Sequence, residues 1–546
     1  MTGSATNWWH GAVIYQIYPR SFQDSNGDGM GDLAGITSRL DHVASLGVDA
    51  IWLSPVFTSP MADMGYDVSD YKNIDPLFGT LADFDLLVAR AHDLGLKVII
   101  DQVLSHSSDQ HPWFAESRAS RDNPKADWYV WADPEPDGFV PNNWLSVFGG
   151  SAWEWDARRR QYYLHNFLKS QPDLNIHNTE VQATIFDIVT FWLDRGVDGF
   201  RLDTVNYFFH DQRLRNNPPL LTASAQANVN PYEMQDHRFS KSRPENIRFL
   251  KKLREITERY DGRMMVGEVG ESVRAVDIMA QYTSGGDKLH MAYSFDMLGP
   301  EFSAAHFRSR IEGFFNAARD VGGWPCWSFS NHDVQRHVTR WAPHSTNLDD
   351  LAKLAAALLL SFEGSICLYQ GEELGQTETE LEFEELRDPP GITFWPEYKG
   401  RDGCRTPMVW SAQAPNAGFS GGMPWLPVKP EQAKRAVDRQ EKTAGSVLTF
   451  YREMLAYRKA SPALLNGLTR FTDLPEPLLG FWRGEGEEAV LCIFNLSKTD
   501  QQITLDQPFF LEPVSRNCEL QDGALNMRAN GFALITGIPL AALAVV

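Results

Sequence analysis

Eight short apolar runs, at positions 13–18, 50–53, 98–103, 200–203, 264–268, 292–295, 326–331 and 366–369, recur along the chain with helical stripes between them. Runs of that length and apolarity suit strands covered on both faces, and strands that alternate with helices pair in parallel. Eight of them predict an α/β fold, a closed (β/α)8 TIM barrel, in which helices shield every strand from outside. Between the first two runs Leu33, Ile36, Leu40, Val43 and Leu46 form one helical face, with Gly47 where a helix C-terminus is capped. Phe84, Leu87, Ala91 and Leu94 before Gly95 repeat the design, and the stretch 186–193 before Gly196 does so again.

At 546 residues the chain exceeds a barrel of about 250 residues. Two connections are too long for simple loops: 107–175, rich in Trp, Pro and Asn, and 376–440, rich in Pro and Gly. After the amphipathic stretch 447–458 the pattern changes to short β-like runs such as 489–495 and 532–535. The expected organisation is a barrel at 1–106 and 176–465 that includes the insertion at about 376–440. A subdomain at 107–175 follows the third strand, and an antiparallel β domain occupies 466–546. The apolar tail 538–546 is too short to span a membrane and is expected to close the last sheet.

A hydrophobic fraction of 43%, with 17 Trp and 32 Phe, can fill a large core. The net charge of −21 argues against nucleic acid and anionic membrane as partners, since either needs a basic surface; a neutral substrate fits better. The five cysteines are widely spaced without a CxxC pair, so they read as reduced thiols of a cytoplasmic protein. Positions 1–9 lack a basic segment followed by a long apolar stretch, and no secretory signal is expected.

Four of the runs end in acid or histidine: VIIDQVLSH at 98–106, GFRLD at 199–203, MVGE at 265–268 and FSNHD at 329–333. Charge at the end of a buried strand is costly, which suggests that the four ends meet at one polar site. Asp203, Glu268 and Asp333 then become candidates for acid, base and nucleophilic chemistry. Arg201 lies two residues before Asp203 and shares its face of the strand, so its guanidinium is expected to lower the Asp203 pKa. Glu268 follows a glycine at an apolar strand end, where desolvation would raise its pKa and keep a proton for delivery. Ordinary barrel ion pairs would place the same residue types there, and the residues alone leave both readings open.

Taken in order, DQVLSH, GFRLD, VGEVG and SNHD resemble the four signature regions of the α-amylase family, glycoside hydrolase family 13. QPDLN at 171–175 and GYD at 65–67 extend the resemblance, which runs from about Trp8 to the C-terminal domain. Within the family the chain is similar to the oligo-1,6-glucosidase and α-glucosidase branch through SNGDGMGDL at 25–33, QPDLN and RDGCRTPM at 401–408. The resemblance implies Asp203 as nucleophile, Glu268 as general acid/base and Asp333 as the carboxylate that grips sugar hydroxyls. It implies His106 and His332 as hydroxyl donors, Arg201 as the group that orients the nucleophile, and Tyr66 and Phe167 as stacking walls. Asp63 and Arg405 match the pair that holds the non-reducing end of the substrate. Read singly, the histidines could be satisfied core residues, the aromatics packing groups, and Asp63 and Arg405 a surface ion pair. Ser105 departs from the commoner DxVxNH form but leaves His106 in place.

Positions 24–32 alternate oxygen-bearing and small residues, as a tight loop around a hard cation would, although Gly35 stands where an EF-hand carries Glu. The resemblance implies a structural Ca²⁺ or Mg²⁺ held by Asp24, Asn26, Asp28, Asp32 and the Met30 carbonyl; the alternative is an ion-free Asx-rich turn. The implied activity is that of a retaining, exo-acting α-glucosidase on short α-1,4-linked glucosides such as maltose. Glucosyl transfer to acceptor alcohols accompanies it, and no organic cofactor is needed. Thr204 would select linkage, since Val at this position accompanies α-1,6 preference and Thr α-1,4. A sucrose isomerase or an α-1,6-selective glucosidase would share the same residues. A glucosidase-like binding subunit would instead carry a membrane span and broken motifs.

Overall fold

The computed structural model describes residues 7–221, 229–504, 510–521 and 523–537. Its centre is an eight-stranded parallel sheet of β1 (Val13–Ile17), β2 (Ala50–Leu53), β3 (Lys97–Gln102), β4 (Gly199–Leu202), β5 (Met264–Val269), β6 (Met291–Ser294), β7 (Cys326–Trp327) and β8 (Ser365–Tyr369). The strands neighbour one another in chain order from β1 to β6, and β8 pairs with both β1 and β7. A parallel bridge from Ala292 in β6 to Pro325, next to β7, closes the ring. Each predicted apolar run lies in one of these strands because both of its faces are covered. The seventh is shorter than expected: Ser328 Oγ donates to the Ser330 carbonyl at 2.7 Å, and this local bonding replaces ladder pairing over 328–331.

Eight helices surround the sheet: α1 (Leu33–Leu46), α2 (Leu81–Asp93), α3 (Thr179–Asp194), α4 (Glu245–Thr257), α5 (Ala275–Thr283), α6 (Ala304–Ala318), α7 (Leu348–Ser361) and α8 (Val447–Ala460). Their boundaries follow local chemistry. Asp32 caps α1 by accepting from Gly35 N at 2.6 Å, and Gly47 ends it at φ 89°, a conformation that disfavours a side chain. Thr80 and Asp83 form a capping box at the start of α2. The α1 stripe predicted from spacing is wholly buried against the strands, and each such Leu, Ile or Val contributes about 1.5–3 kcal/mol.

Strand alternation separates two layers and places the polar site. Val13, Tyr15 and Ile17 face the helices, whereas Ile14, Ala50, Trp52, Ile99, Met264, Val266, Met291 and Tyr293 pack together inside the barrel. In register, Asp101 lies beside Arg201 and Val266 lies beside Arg201 on the other side, so the inward positions turn from apolar to charged toward the strand C-termini. This is the face on which TIM barrels carry their chemistry.

Segment 107–175 carries a helix, Pro112–Ser117, and an antiparallel sheet of Trp131–Ala132, Gln161–Leu164 and Trp153–Asp156. Segment 376–440 forms short helical turns, among them Pro389–Thr393, Pro430–Ala433 and Val437–Gln440. From Thr469 onward the described strands are antiparallel and centre on the long strand Ala524–Thr536. The tail 538–546, expected to close this sheet, lies outside the described residues. Among the described residues no helix is long and apolar enough to cross a membrane.

Candidate active site

One guanidinium organises the barrel mouth. Arg201 Nη1 lies 2.7 Å from both Asp101 Oδ1 and Asp203 Oδ1, and Nη2 lies 2.6 Å from Glu268 Oε1. Its planar fork can serve three carboxylates from three strands at once, while the Trp52 ring lies under it at 4.9 Å. Glu268 is held further by Tyr293 OH, which donates to Oε1 at 3.1 Å, and by Thr204 N, which donates to Oε2 at 3.1 Å.

A single positive charge facing three buried carboxylates cannot keep all of them ionised. Burial pushes Asp203 up to about 7 and Glu268 up to about 7, with Arg201 opposing in each case, and Asp101 up to about 6. Arg201 lowers the Asp203 pKa as expected, but desolvation outweighs one shared guanidinium and the net shift is upward. Asp203 and Glu268 interact as a pair, each raised by burial and Glu268 further by the charge of Asp203, so ionisation of one opposes ionisation of the other.

Asp333, after β7, is held in the opposite direction. Its burial would raise the pKa, but the neighbouring His332, Arg401 and Arg405 keep it well below the usual carboxylate range. Arg401 Nη1 and Arg405 Nη2 each lie 3.0 Å from Asp333 Oδ1, and His332 Nε2 lies 3.3 Å from Oδ2. Asp63 was expected to pair with Arg405; its direct ion partner is Arg401, at 2.8 Å, which also binds Asp388 at 2.7 Å. Arg405 instead donates from Nε to the His332 carbonyl at 2.7 Å and sits behind the site wall. Two arginines four residues apart in one loop present different faces, and the fold selects Arg401 for Asp63.

The remaining predicted residues converge on the same place. Tyr66 OH lies 3.1 Å from Asp101 Oδ2 and 2.5 Å from His332 Nε2, with its ring parallel to that of His332. Gln16 Nε2 lies 2.8 Å from His332 Nδ1. Burial drives His332 well below its ordinary pKa and His106 down to about 4, so both imidazoles are neutral near pH 7. His106 Nε2 faces the Tyr66 carbonyl at 3.0 Å, and Phe167 packs between His106 and Phe148. These side chains surround a cavity of about 560 Å³ lined by Asp63, Tyr66, His106, Phe167, Asp203, Thr204, Glu268, Asp333 and Arg401, with Phe148, Phe394 and Tyr398 toward its rim. Arg201, His332 and Arg405 stand behind the lining, fully buried.

Thr204 carries two unexpected features. Its backbone is left-handed, at φ 40° and ψ 48°, a region costly for a β-branched residue. Its hydroxyl donates to Asp203 Oδ2 at 3.2 Å and contacts Ser105 Oγ at 3.2 Å, so any hydrogen bond by which it selects linkage competes with its bond to Asp203.

Asp101, Tyr293, Arg401 and Asp388 belong to the site but were not singled out from sequence. Asp101 had a legible signal: it opens the DQVLSH segment, and period-two alternation from Ile99 turns it inward beside Arg201.

The loop 24–32 lies apart from this cluster. Asp24 Oδ1 accepts from Asn26 N and Gly27 N, its Oδ2 accepts from Gly29 N and Ser420 Oγ, and Asp32 Oδ2 accepts from Ser25 N and Oγ. Asn26 Oδ1 and Asp28 Oδ1 each accept one N–H, from Asp28 and Met30. The loop thus closes on its own donors as a series of Asx turns. A divalent ion fits in part: Asn26, Asp28, the Met30 carbonyl and Asp32 Oδ1, which accepts only from Gly35 N, keep free lone pairs, while Asp24 would give up a donor. Among the described residues no three His, Cys, Asp or Glu side chains gather as a ready ligand set.

A closed parallel barrel that gathers carboxylates, a shared guanidinium and neutral imidazoles at its C-terminal rim defines a TIM-barrel enzyme. The family model for the alpha amylase catalytic domain matches residues 16–467. The chain belongs to the α-amylase family, glycoside hydrolase family 13. It is 58% identical over 514 residues to a probable alpha-glucosidase of Rhizobium meliloti, covering 93% of this chain and 92% of that protein. It is 37% identical over 545 residues to an oligo-1,6-glucosidase of Heyndrickxia coagulans, covering 92% and 94%. Among solved structures, the alpha-glucosyl transfer enzyme XgtA superposes with a TM-score of 0.94 at 52% identity, covering 97% of this chain and 99% of that one. The trehalulose synthase MutB of Pseudomonas mesoacidophila superposes with a TM-score of 0.86 at 32% identity, covering 97% of this chain and 99% of that one.

Proposed function

We propose that this protein is a retaining, exo-acting α-glucosidase that cleaves short α-1,4-linked glucosides such as maltose and transfers glucose to acceptor hydroxyls. The observation that carries the reading is the Asp203–Arg201–Glu268 arrangement, two buried carboxylates that divide one guanidinium; burial raises both, so in this reading the pair shares one proton near neutrality. Binding a glucoside sorts that proton: Glu268 keeps it and delivers it to the glycosidic oxygen, while ionised Asp203 attacks the anomeric carbon. A β-glucosyl ester forms, and water or an acceptor alcohol then attacks with Glu268 as base. Asp333, kept anionic by Arg401 and Arg405, would accept hydrogen bonds from the sugar hydroxyls. Asp63 and Arg401, joined across the cavity, would close it behind the non-reducing glucose.

Buried free thiols at Cys326, Cys367, Cys404 and Cys492 support a cytoplasmic location. We assign to the loop at Asp24, Asn26, Asp28, Met30 and Asp32 a structural Ca²⁺ or Mg²⁺ outside the chemistry; the small-molecule glucoside and acceptor are the only partners the reaction needs.

The likeness to MutB favours one rival, a sucrose isomerase on the same residues. Product analysis on maltose, isomaltose and sucrose separates the readings. Glucose from maltose at a higher kcat/KM than from isomaltose supports the proposal. Isomerisation of sucrose as the fastest reaction, or no release from maltose, rejects it.

A further inference from the structure

A proton count around Thr204 gives a role to Ser105. His106 Nε2 lies 3.0 Å from the Tyr66 carbonyl, which can only accept, so Nε2 carries the ring proton and Nδ1 is an acceptor. Gln171 Nε2, 3.2 Å from the same nitrogen, carries two protons and gives one to Asp63 Oδ2 at 3.0 Å; the protonated His106 Nε2 cannot accept the other. The donor within reach of Nδ1 is Ser105 Oγ at 2.9 Å, so the Ser105 hydroxyl proton points at His106. Toward Thr204 Oγ1, 3.2 Å away, Ser105 can then only accept. Thr204 has one hydroxyl proton and two oxygens at 3.2 Å, Ser105 Oγ and Asp203 Oδ2, and can serve one at a time.

We infer that Ser105 is a positioning residue for the nucleophile, the alternate acceptor that receives the Thr204 hydroxyl proton while Asp203 is esterified. The inference rests on the retaining reading above. Once substrate binding leaves the proton on Glu268, Asp203 is an anion, and a charged acceptor outcompetes a hydroxyl, so Thr204 donates to Oδ2. When Asp203 Oδ2, the oxygen that Arg201 does not hold, bonds the anomeric carbon, the glycosidic C–O bond breaks, the leaving oxygen takes the Glu268 proton, and Oδ2 becomes a bridging ester oxygen, a weak acceptor. The Asp203 charge is then gone. The Thr204 proton stays on its oxygen and rotates to Ser105 Oγ, and no buried donor is left unmet. Water attack reverses the rotation. Ser105, His106 and the Tyr66 carbonyl thus form a fixed chain with one free acceptor at its end, and Thr204 is the moving part.

The test uses Ser105→Ala, Ser105→Thr and Thr204→Ala, with the Ser105→Ala/Thr204→Ala double variant, on p-nitrophenyl α-glucoside. Wild-type turnover of this substrate is required first, and its absence would reject the glucosidase reading itself. With turnover in hand, Ser105→Ala should lower kcat roughly three- to tenfold, the loss of one neutral hydrogen bond, with KM little changed. Ser105→Thr, which keeps the hydroxyl, should recover most of it. In the Thr204→Ala background the Ser105→Ala effect should vanish, because its partner is gone. Equal penalties from Ser105→Ala in both backgrounds, an effect on KM alone, or no effect would overturn the inference. Melting temperatures within a few degrees of wild type identify the variants that are folded, and Ser105→Asn, which also offers an acceptor, replaces Ser105→Thr if the added methyl does not fit.

Discussion

Replacing Asp203, the proposed nucleophile, should make the protein less active and, above neutral pH, relatively more stable. Asp203 rises from an ordinary 3.8 to about 7 on folding, mainly by burial. The folded state therefore binds more protons than the unfolded one between about pH 4 and 7. A group with a raised folded pKa contributes stability below its unfolded pKa and loses that contribution as pH rises through the folded value. A rise of about three pH units corresponds to ~4 kcal/mol, of which ~3 kcal/mol falls between pH 5 and 8. Sharing of the proton with Glu268 reduces this to roughly 2 kcal/mol. Asp203→Asn has nearly the same shape and no charge, so it escapes the penalty. The bonds it loses to Arg201 and Thr204 add a term that varies little with pH. The difference in melting temperature, variant minus wild type, should thus be more positive at pH 8 than at pH 5. With an unfolding entropy of about 2.1 cal/mol/K per residue over the chain, the change is roughly 1–3 °C. Parallel calorimetric scans at the two pH values measure it, alongside a loss of several orders of magnitude in kcat. An offset between variant and wild type that is the same at both pH values, or larger at pH 5, would refute the argument from burial.

Double displacement requires the first sugar released to be α-glucose, and NMR during the first minutes of hydrolysis reads the anomer; β-glucose would reject retention. Thr204→Val should shift the isomaltose-to-maltose ratio of kcat/KM upward by several-fold to about tenfold, near the worth of one hydrogen bond. Because the Thr204 hydroxyl also serves Asp203, both absolute rates should fall, and an unchanged ratio would remove Thr204 as selector. A chelator should lower the melting temperature more than the rate at moderate temperature, since the loop 24–32 contributes no residue to the cavity. Unchanged melting together with no metal in elemental analysis would leave the Asx turns as the whole structure of that loop.

The barrel was legible because each of its strands is buried on both faces and each run is bounded by turn or cap residues; Gly47 and Gly95 stand at φ 89° and 77°, where the helices were expected to stop. The gathering of Asp203, Glu268, Asp333, His106 and His332 was legible too, because all follow apolar runs at the same end of the barrel. Electrostatics were not. Arg201 and Asp203 look like a simple pair along one strand, but Asp101 and Glu268 arrive from the two neighbouring strands and divide the same guanidinium. Nor could spacing choose between Arg401 and Arg405 for Asp63, since the path of the 376–440 segment across the mouth decides which side chain reaches it. The seventh strand was overread because Phe329 and its neighbours look apolar, while Ser328 and Ser330 bond locally instead of to a ladder.

The left-handed backbone at Thr204 sets two selection pressures against each other. Glycine, and to a lesser degree asparagine, occupy that conformation readily, whereas a β-branched residue there costs on the order of 1–3 kcal/mol. A library randomised at this codon and sorted for heat tolerance should drift toward Gly and Asn. The same library sorted for turnover should return to residues with a hydroxyl. The site is a place where laboratory evolution for ruggedness and for catalysis would part company at a single residue.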